Sequence, residues 1–380
     1  MSTRSPPQSS EELLAQLVSF DTVNPHFGGP VGGEAALAAH LETLARSWGL
    51  ATRRCPVDEH RFNLLITCEA APGSEWLIFE SHLDTVSTVG MTIAPYALRA
   101  DGDRLYARGA CDTKGSGAAM LWALRTLARE PVRPRHLAVL FAVDEEAHMT
   151  GARAFAAAEL AGLAPLRGLI VGEPTQLRPV VAHHGVVRWR TTTRGIAAHS
   201  ADPTKGRSAI SAMTRVIDAL ESHYVPLANR TDLLTGRAAA SINLIRGGSA
   251  VNIIPDSCEI ECDRRLVPGE TAEAALAARD ATLAGFAVEH DRVYHVPPLP
   301  AASGRPLLAW AQPAFEQCGL DATATGAAYV TDASHYAAAG APSLVLGPGD
   351  LAQAHTCDEW LSRQQLEAAT KLYSALMRLA

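Results

Sequence analysis

The 380-residue chain is 47% hydrophobic and 19% charged by residue count, enough to bury a sizeable core in one large domain or two ordinary ones. Its net charge of −7, with no basic run to reverse the sign, argues against a nucleic-acid partner. No apolar stretch is long enough to span a bilayer, the opening MSTRSPPQSS lacks the apolar core of a signal peptide, and seven scattered cysteines suit reduced thiols, so the expectation is a cytoplasmic protein with no membrane partner.

Ser9 and Glu12 form a capping box ahead of a helix that carries Leu13, Leu14, Leu17 and Phe20 on one side. A second helix presents Leu37, Leu41, Leu44 and Trp48, and Gly49 stops it. Apolar runs follow at 62–68, 76–80, 137–143, 169–171 and 343–346, with helical stretches such as 116–129 between them. Apolar strands alternating with helices predict an α/β fold: a mixed, largely parallel sheet flanked by helices. The middle third differs. Residues 186–194, 239–246 and 258–266 alternate apolar and polar side chains, with helical patterns at 208–222 and 271–283, as in an inserted α+β domain whose sheet keeps one face in solvent. Cys258 and Cys262 fall on the buried face of that alternation. The predicted borders lie near Pro179 and Asp291, giving a discontinuous domain of residues 1–179 and 292–380 around an insert of residues 180–291, with a last helix over 365–379.

The chemistry-bearing residues sit at the ends of the apolar runs. The strand at 76–80 leads into Ser81-His82-Leu83-Asp84, and a His at a strand's carboxyl end faces the crevice where open α/β sheets bind ligands. Asp84, on the same side, is spaced to accept the second ring N–H of His82, the pairing that orients metal-bound imidazoles. Asp112, among the small residues of Arg108-Gly109-Ala110-Cys111-Asp112-Thr113-Lys114-Gly115, precedes a helix; the glycines match no phosphate-loop spacing, and Asp112 reads as a helix cap or as a carboxylate shared by two metals. The run at 137–143 ends in Asp144-Glu145-Glu146. Adjacent buried carboxylates need a cation or a raised pKa, and in an extended segment Glu145 and Glu146 point opposite ways, so that one can bind metal while the other moves a proton; a solvated acidic turn is the alternative. Glu173 follows the run at 169–171, and His355 follows Gly347-Pro348-Gly349-Asp350. Singly these are ordinary loop residues. Together, two His and three carboxylates delivered to one crevice edge make a donor set suited to zinc, cobalt or manganese, with a shared carboxylate holding two ions roughly 3.5–4 Å apart.

The ordered segments HLD (82–84), ACDTKG (110–115), DEE (144–146), GEPT (172–175), GIAAHS (195–200), VNIIP (251–255), DRRLVPG (263–269) and GPGDLAQAH (347–355) resemble the M20 family of two-zinc metallopeptidases, which includes acetylornithine deacetylase, aminoacylase and several carboxypeptidases. Within it, IVGEPTQLRPV, DRRLVPG and GPGDLAQAHTCDE are most similar to acetylornithine deacetylase. The resemblance implies a zinc-hydrolase catalytic domain with an inserted lid and dimerisation domain, two Zn2+ per chain (Co2+ or Mn2+ being alternatives) and an N-acyl amino acid substrate. It implies that His82 and Glu173 hold one ion, Glu146 and His355 the other, and Asp112 both, with Asp84 orienting His82 and Glu145 as general base. It also implies a homodimer in which His199 reaches the partner's active site to stabilise the oxyanion, substrate contacts from Asn252 and Arg265, and a cis peptide at Asp112–Thr113. The same resemblance admits succinyl-diaminopimelate, acetylcitrulline or small peptides as substrates, or a homologue that binds metal without catalysis. Read from the residues alone, His199 is also a polar turn residue and Arg265 a strand-edge charge, while Arg264, on the opposite face, reads as structural. His183 and His184 are further candidates that the matched ligand set does not need.

Overall fold

The computed structural model describes residues 5–380; the first four residues of the polar opening lie outside the described residues. The chain divides into two compact units, Met1–Val181 with Ala301–Thr325 and Thr331–Ala380, and Ala182–Pro300 with Gly326–Val330.

Six of the eight strands of the main sheet follow in the order Ala51–Pro56, Phe62–Cys68, His136–Ala142, Trp76–His82, Leu166–Val171, Ser343–Val345. The first two junctions are antiparallel and the remaining three parallel. His136–Ala142 shows why: all seven residues are buried, with no polar alternation, as a strand covered on both faces requires. On Trp76–His82, Phe79 packs edge-on against Tyr373 of helix Arg363–Arg378, ring centroids 5.6 Å apart. Its neighbour Glu80 points to the other face, as strand periodicity demands. Phe155 of helix Thr150–Ala158 meets Tyr336 of helix Ala333–Ala338, and helices Gly115–Leu127 and Ala301–Cys318 pack on Arg363–Arg378. Each large side chain buried in this way contributes roughly 1.5–3 kcal/mol. The parallel pairing gives His136–Ala142, Trp76–His82, Leu166–Val171 and Ser343–Val345 a common carboxyl edge.

The helix ends follow local chemistry. Ser9 accepts the Glu12 N–H at 3.1 Å, and the Glu12 carboxylate accepts the N–H of Gln8, one residue before the cap, at 2.8 Å. Helix Gly33–Ser47 ends just before Gly49, whose φ of 79° favours glycine. Two features have no counterpart in the sequence reading. Helix Ala301–Cys318 contains Pro306 and Pro313, which argue against a helix locally, but Leu307, Leu308, Ala311 and Phe315 line a buried stripe that outweighs them. The small sheet of Arg99–Asp101, Arg104–Tyr106 and Trp360–Ser362 is built from strands too short to display a period.

In the second unit, Ala239–Gly247, Ser257–Leu266, Gly185–Arg194 and Val288–Val296 form an antiparallel sheet. Helices Ala209–Tyr224 and Ala272–Leu283 pack on it. Trp189, Met213, Val216, Cys258, Ile260 and Cys262 share its core, while on the other face Arg188 pairs with Asp263, Arg190 with Glu259 and Arg246 with Glu261. Val288–Val296 differs from the sequence reading, whose border near Asp291 cuts through it. Its charged residues and the register shift between Asp291 and Tyr294 hide the alternation. Among the described residues, no helix is long and apolar enough to cross a membrane.

Candidate active site

The common carboxyl edge of the parallel strands supplies most of the site. His82 ends its strand, and its Nε2 lies 3.0 Å from Asp112 Oδ1 and 3.9 Å from Glu173 Oε1. His355 Nε2 lies 3.0 Å from Glu146 Oε2 and 3.3 Å from Asp112 Oδ2. Asp112 therefore stands between two imidazoles, one carboxylate oxygen to each. A ligand atom from each of His82, Asp112 and Glu146 falls within 4.8 Å of the others. Five side chains spread over residues 82–355 thus meet in the first unit.

Glycine permits this convergence. A Cβ on Gly172 would stand 2.5 Å from Ser116 Cβ, and one on Gly347 would stand 2.5 Å from the Glu173 carbonyl oxygen and from Ser116 Oγ. The loops bearing Glu173 and His355 can pass the start of helix Gly115–Leu127 only without side chains at these two positions. Asp144 (φ 67°) and His355 (φ 59°) take the left-handed region, at about 1–3 kcal/mol each. The Asp112–Thr113 peptide is cis, and Thr113 Oγ1 donates to the Gly172 carbonyl.

Asp84 faces the His82 ring with both its carbonyl and its carboxylate. The His82 Nδ1–H points to the main-chain carbonyl of Asp84 at 3.0 Å, and the Asp84 carboxylate is farther away at 3.6 Å. That carboxylate, fully buried, accepts the peptide N–H groups of Glu145 (3.0 Å) and Glu146 (3.1 Å) and the Asn24 amide (2.8 Å). The two half-buried peptide N–H groups in the turn after the strand need an acceptor, and the side chain supplies it, leaving the carbonyl closest to the imidazole. Asn24 also donates to Asp144 at 2.9 Å; Asp144 pairs with Arg61 at 2.7 Å, and Glu34 accepts the Asp144 N–H at 2.9 Å. Sequence reasoning missed Asn24, Glu34 and Arg61. Asn24-Pro25 is a sufficient turn signal by itself, and nothing in it points to partners 60 and 120 residues away.

The electrostatics follow from crowded acids. Burial, joined by Asp332, Glu146 and Asp112, pushes the Glu145 carboxyl well above the usual range. Burial and Asp112 push Glu146 up to about 7, and the same causes raise Glu173 well above its ordinary value. Burial opposes ionisation of Asp112, but hydrogen bonds from His355 and His82 outweigh it and hold the carboxyl low. His355 is pushed up to about 11 by its bonds to Asp112 and Glu146. For His82, burial is overcome by Asp112 and the other carboxylates, and its pKa rises well above the usual value. Excess negative charge around an N/O donor set is what divalent cations relieve, so His82, Asp112, Glu146, Glu173 and His355 could hold a pair of zinc-, cobalt- or manganese-type ions.

The remaining sequence-derived candidates lie in the second unit. His199 is exposed, and its Nδ1 accepts the Ala201 N–H at 3.0 Å, so the neutral ring carries its hydrogen on Nε2. His199 pairs with Ile253, and Ser200 N donates to the Asn252 carbonyl at 3.0 Å, so His199 and exposed Asn252 share one loop cluster. Arg265 is half-buried and bonded to Asp263 at 2.8 Å. Arg264, on the opposite face, is buried and pairs with Glu270 at 2.7 Å. His183 Nδ1 bonds the His184 carbonyl at 2.7 Å, and burial pushes its pKa down to about 4.

A mixed sheet with acids and imidazoles gathered at its carboxyl edge suits a metal-dependent enzyme, and the comparisons supply the class, a hydrolase of amide bonds. The profile described as "Peptidase family M20/M25/M40" matches residues 78–379, and the chain belongs to that family. It is 32% identical over 354 residues to an acetylornithine deacetylase from Edwardsiella ictaluri, covering 89% of this chain and 90% of the relative. It is 33% identical over 346 residues to a probable carboxypeptidase from Aspergillus terreus, covering 85% and 75%. Among solved structures, the fold is similar to an M20 family metallo-carboxypeptidase from Sulfolobus solfataricus, with TM-score 0.81, 15% identity and coverage of 98% and 99%. It is also similar to a dinuclear metal binding peptidase of the M20 family from Bacillus subtilis, with TM-score 0.67, 16% identity and coverage of 97% and 96%.

Proposed function

We propose that the chain is a two-metal deacylase that removes an acyl group, acetyl foremost, from the α-nitrogen of an amino acid in the manner of acetylornithine deacetylase. The observation that carries this reading is Asp112 set between His82 and His355, one carboxylate oxygen to each. His82 and Glu173 would hold one ion and Glu146 and His355 the other, with Asp112 shared between them; the donor set suits Zn2+, with Co2+ or Mn2+ able to substitute. When bound, they supply Lewis acidity and bring the pKa of water towards neutrality. Glu145, next to Glu146 and with its proton affinity raised by burial, takes the proton of the attacking water and passes it to the departing amine. Asp84 holds the peptides of Glu145 and Glu146 in register for these tasks.

His199 donates from Nε2 to the oxyanion, a contribution of about 3–4 kcal/mol for one good donor. Arg265 and Asn252 bind the substrate, the Arg fork matching a carboxylate. The inserted unit serves as lid and dimerisation domain of a homodimer, and His199 acts in the partner's site. Exposed Leu244 and Ile245 on edge strand Ala239–Gly247 support a partner there. Seven free thiols suit the reducing cytoplasm, and acetylornithine as substrate would give the enzyme a place in arginine biosynthesis.

The Aspergillus terreus relative favours a second reading, cleavage of small peptides from the carboxyl end. The test is metal content together with turnover on acetylornithine, acetylcitrulline, succinyl-diaminopimelate and a dipeptide. Two equivalents of metal and the highest kcat/KM on acetylornithine support the first reading; the highest on the dipeptide supports the second. A reconstituted protein with neither metal nor turnover overturns both.

A further inference from the structure

We propose that the buried ion pair of Arg108 and Glu359 is a positioning device for the metal site, fixing the segments that carry His82, Asp112 and His355 at their working separation. The inference rests on the metal-binding reading above. Glu359 is almost fully buried, and every oxygen is used: Oε1 accepts the peptide N–H groups of Cys111 (2.7 Å) and Asp112 (3.0 Å), while Oε2 accepts Arg108 Nη1 (2.8 Å) and the Gly109 N–H (3.0 Å). The Asp112 peptide is therefore held by a side chain four residues beyond His355.

Arg108 completes the tie. Its Nη2 donates to the carbonyls of Ser87 (2.9 Å) and Thr356 (3.2 Å). Ser87 lies three residues after Asp84, and Thr356 is next to His355. One ion pair thus bonds the main chain of three segments that each bring a donor to the site. The turn through Gly109, Cys111 and Asp112 presents three buried N–H groups, and a carboxylate has enough lone pairs to satisfy them and the guanidinium together. Glutamine has one acceptor oxygen, and its NH2 would face another donor.

The experiment measures metal affinity, with activity left aside. Protein stripped by a chelator is titrated with Zn2+ by calorimetry and with Co2+ by visible absorption, and metal-free unfolding is followed in parallel. The variants are Glu359→Gln, the neutral pair Arg108→Gln/Glu359→Gln, and Glu75→Gln as a control. Glu75 bonds Arg135 and Arg167 at the amino end of the strand that His82 terminates. The expected result is a loss of about 10- to 100-fold in affinity for at least one ion in Glu359→Gln and in the neutral pair, with an altered Co2+ spectrum. The control should bind both ions within about two-fold of the parent, whatever its stability.

Should Glu359→Gln fail to fold, the neutral pair decides, because it leaves no unpaired buried charge. If neither folds, Glu359 serves the fold as a whole and the inference fails. Folded variants that match the parent in affinity and Co2+ spectrum overturn this inference alone. A parent that takes up no metal overturns the reading beneath it.

Discussion

The Asp84 carboxylate accepts the peptide N–H of Glu145 at 3.0 Å, and its second oxygen accepts that of Glu146 at 3.1 Å. One buried side chain thus orients the proton-transfer residue and its neighbouring metal ligand of the proposed mechanism. Asp84→Asn would turn an NH2 towards one of those N–H groups. The expected outcome is a fall in kcat of about 10- to 100-fold, with KM within two-fold of the parent. Steady-state kinetics on the best substrate check it, and an unchanged kcat would remove Asp84 from the positioning role.

Glu145→Gln keeps the shape of the side chain and removes its capacity to take a proton. Metal content should stay at the parent value while kcat falls by about 10²–10⁴-fold. Elemental analysis beside single-turnover kinetics separates the two effects, and activity close to that of the parent would reject Glu145 as the general base.

His183 makes the second unit sensitive to acid. Burial lowers its folded pKa from 6.5 to about 4, so the neutral ring is favoured in the folded chain. Its stabilisation is present above pH 6.5, declines as the pH falls because the unfolded chain binds the proton first, and is gone near pH 4. The gap corresponds to about 3 kcal/mol at most. His183→Gln should therefore show a shallower loss of unfolding free energy between pH 7 and pH 4.5 than the parent, measured by urea unfolding. Parallel curves would mean that His183 does not carry the effect.

Gly117 sits where helix Gly115–Leu127 presses on the strands. A Cβ there would lie 2.8 Å from Phe141 and 2.8 Å from Ser81 Oγ, both on buried side chains with no room to retreat. Gly117→Ala should destabilise the fold by about 1–3 kcal/mol, despite the better helix propensity of Ala, as read from denaturant midpoints. A stabilised variant would show that the helix start can shift.

Burial leaves a period in the chain, and this explains what could be read from it directly. The unbroken apolar run of 137–143 announced a strand covered on both faces, and the alternation of 258–266 a strand covered on one. His82, Asp112, Glu146 and Glu173 could be picked out near a strand's end or just before a helix, where the fold class puts ligand-binding groups, and His355 beyond the Gly347-Pro348-Gly349 turn; singly they were ordinary loop residues, and only the ordered family motifs assigned their roles. Periodicity was silent where charge or proline masked it, as in Val288–Val296 and helix Ala301–Cys318. It was silent, too, on every bond between loops. That Asp84 serves the imidazole through its carbonyl and the Glu145–Glu146 peptides through its side chain, that Asn24 joins it, and that Glu359 grips the turn at Asp112 were decided by the tertiary structure. The physical reason is that a residue's own neighbours in sequence determine which face it buries, whereas a polar atom's partner is whatever donor or acceptor the packed strands bring within 3 Å, and no local pattern encodes that meeting.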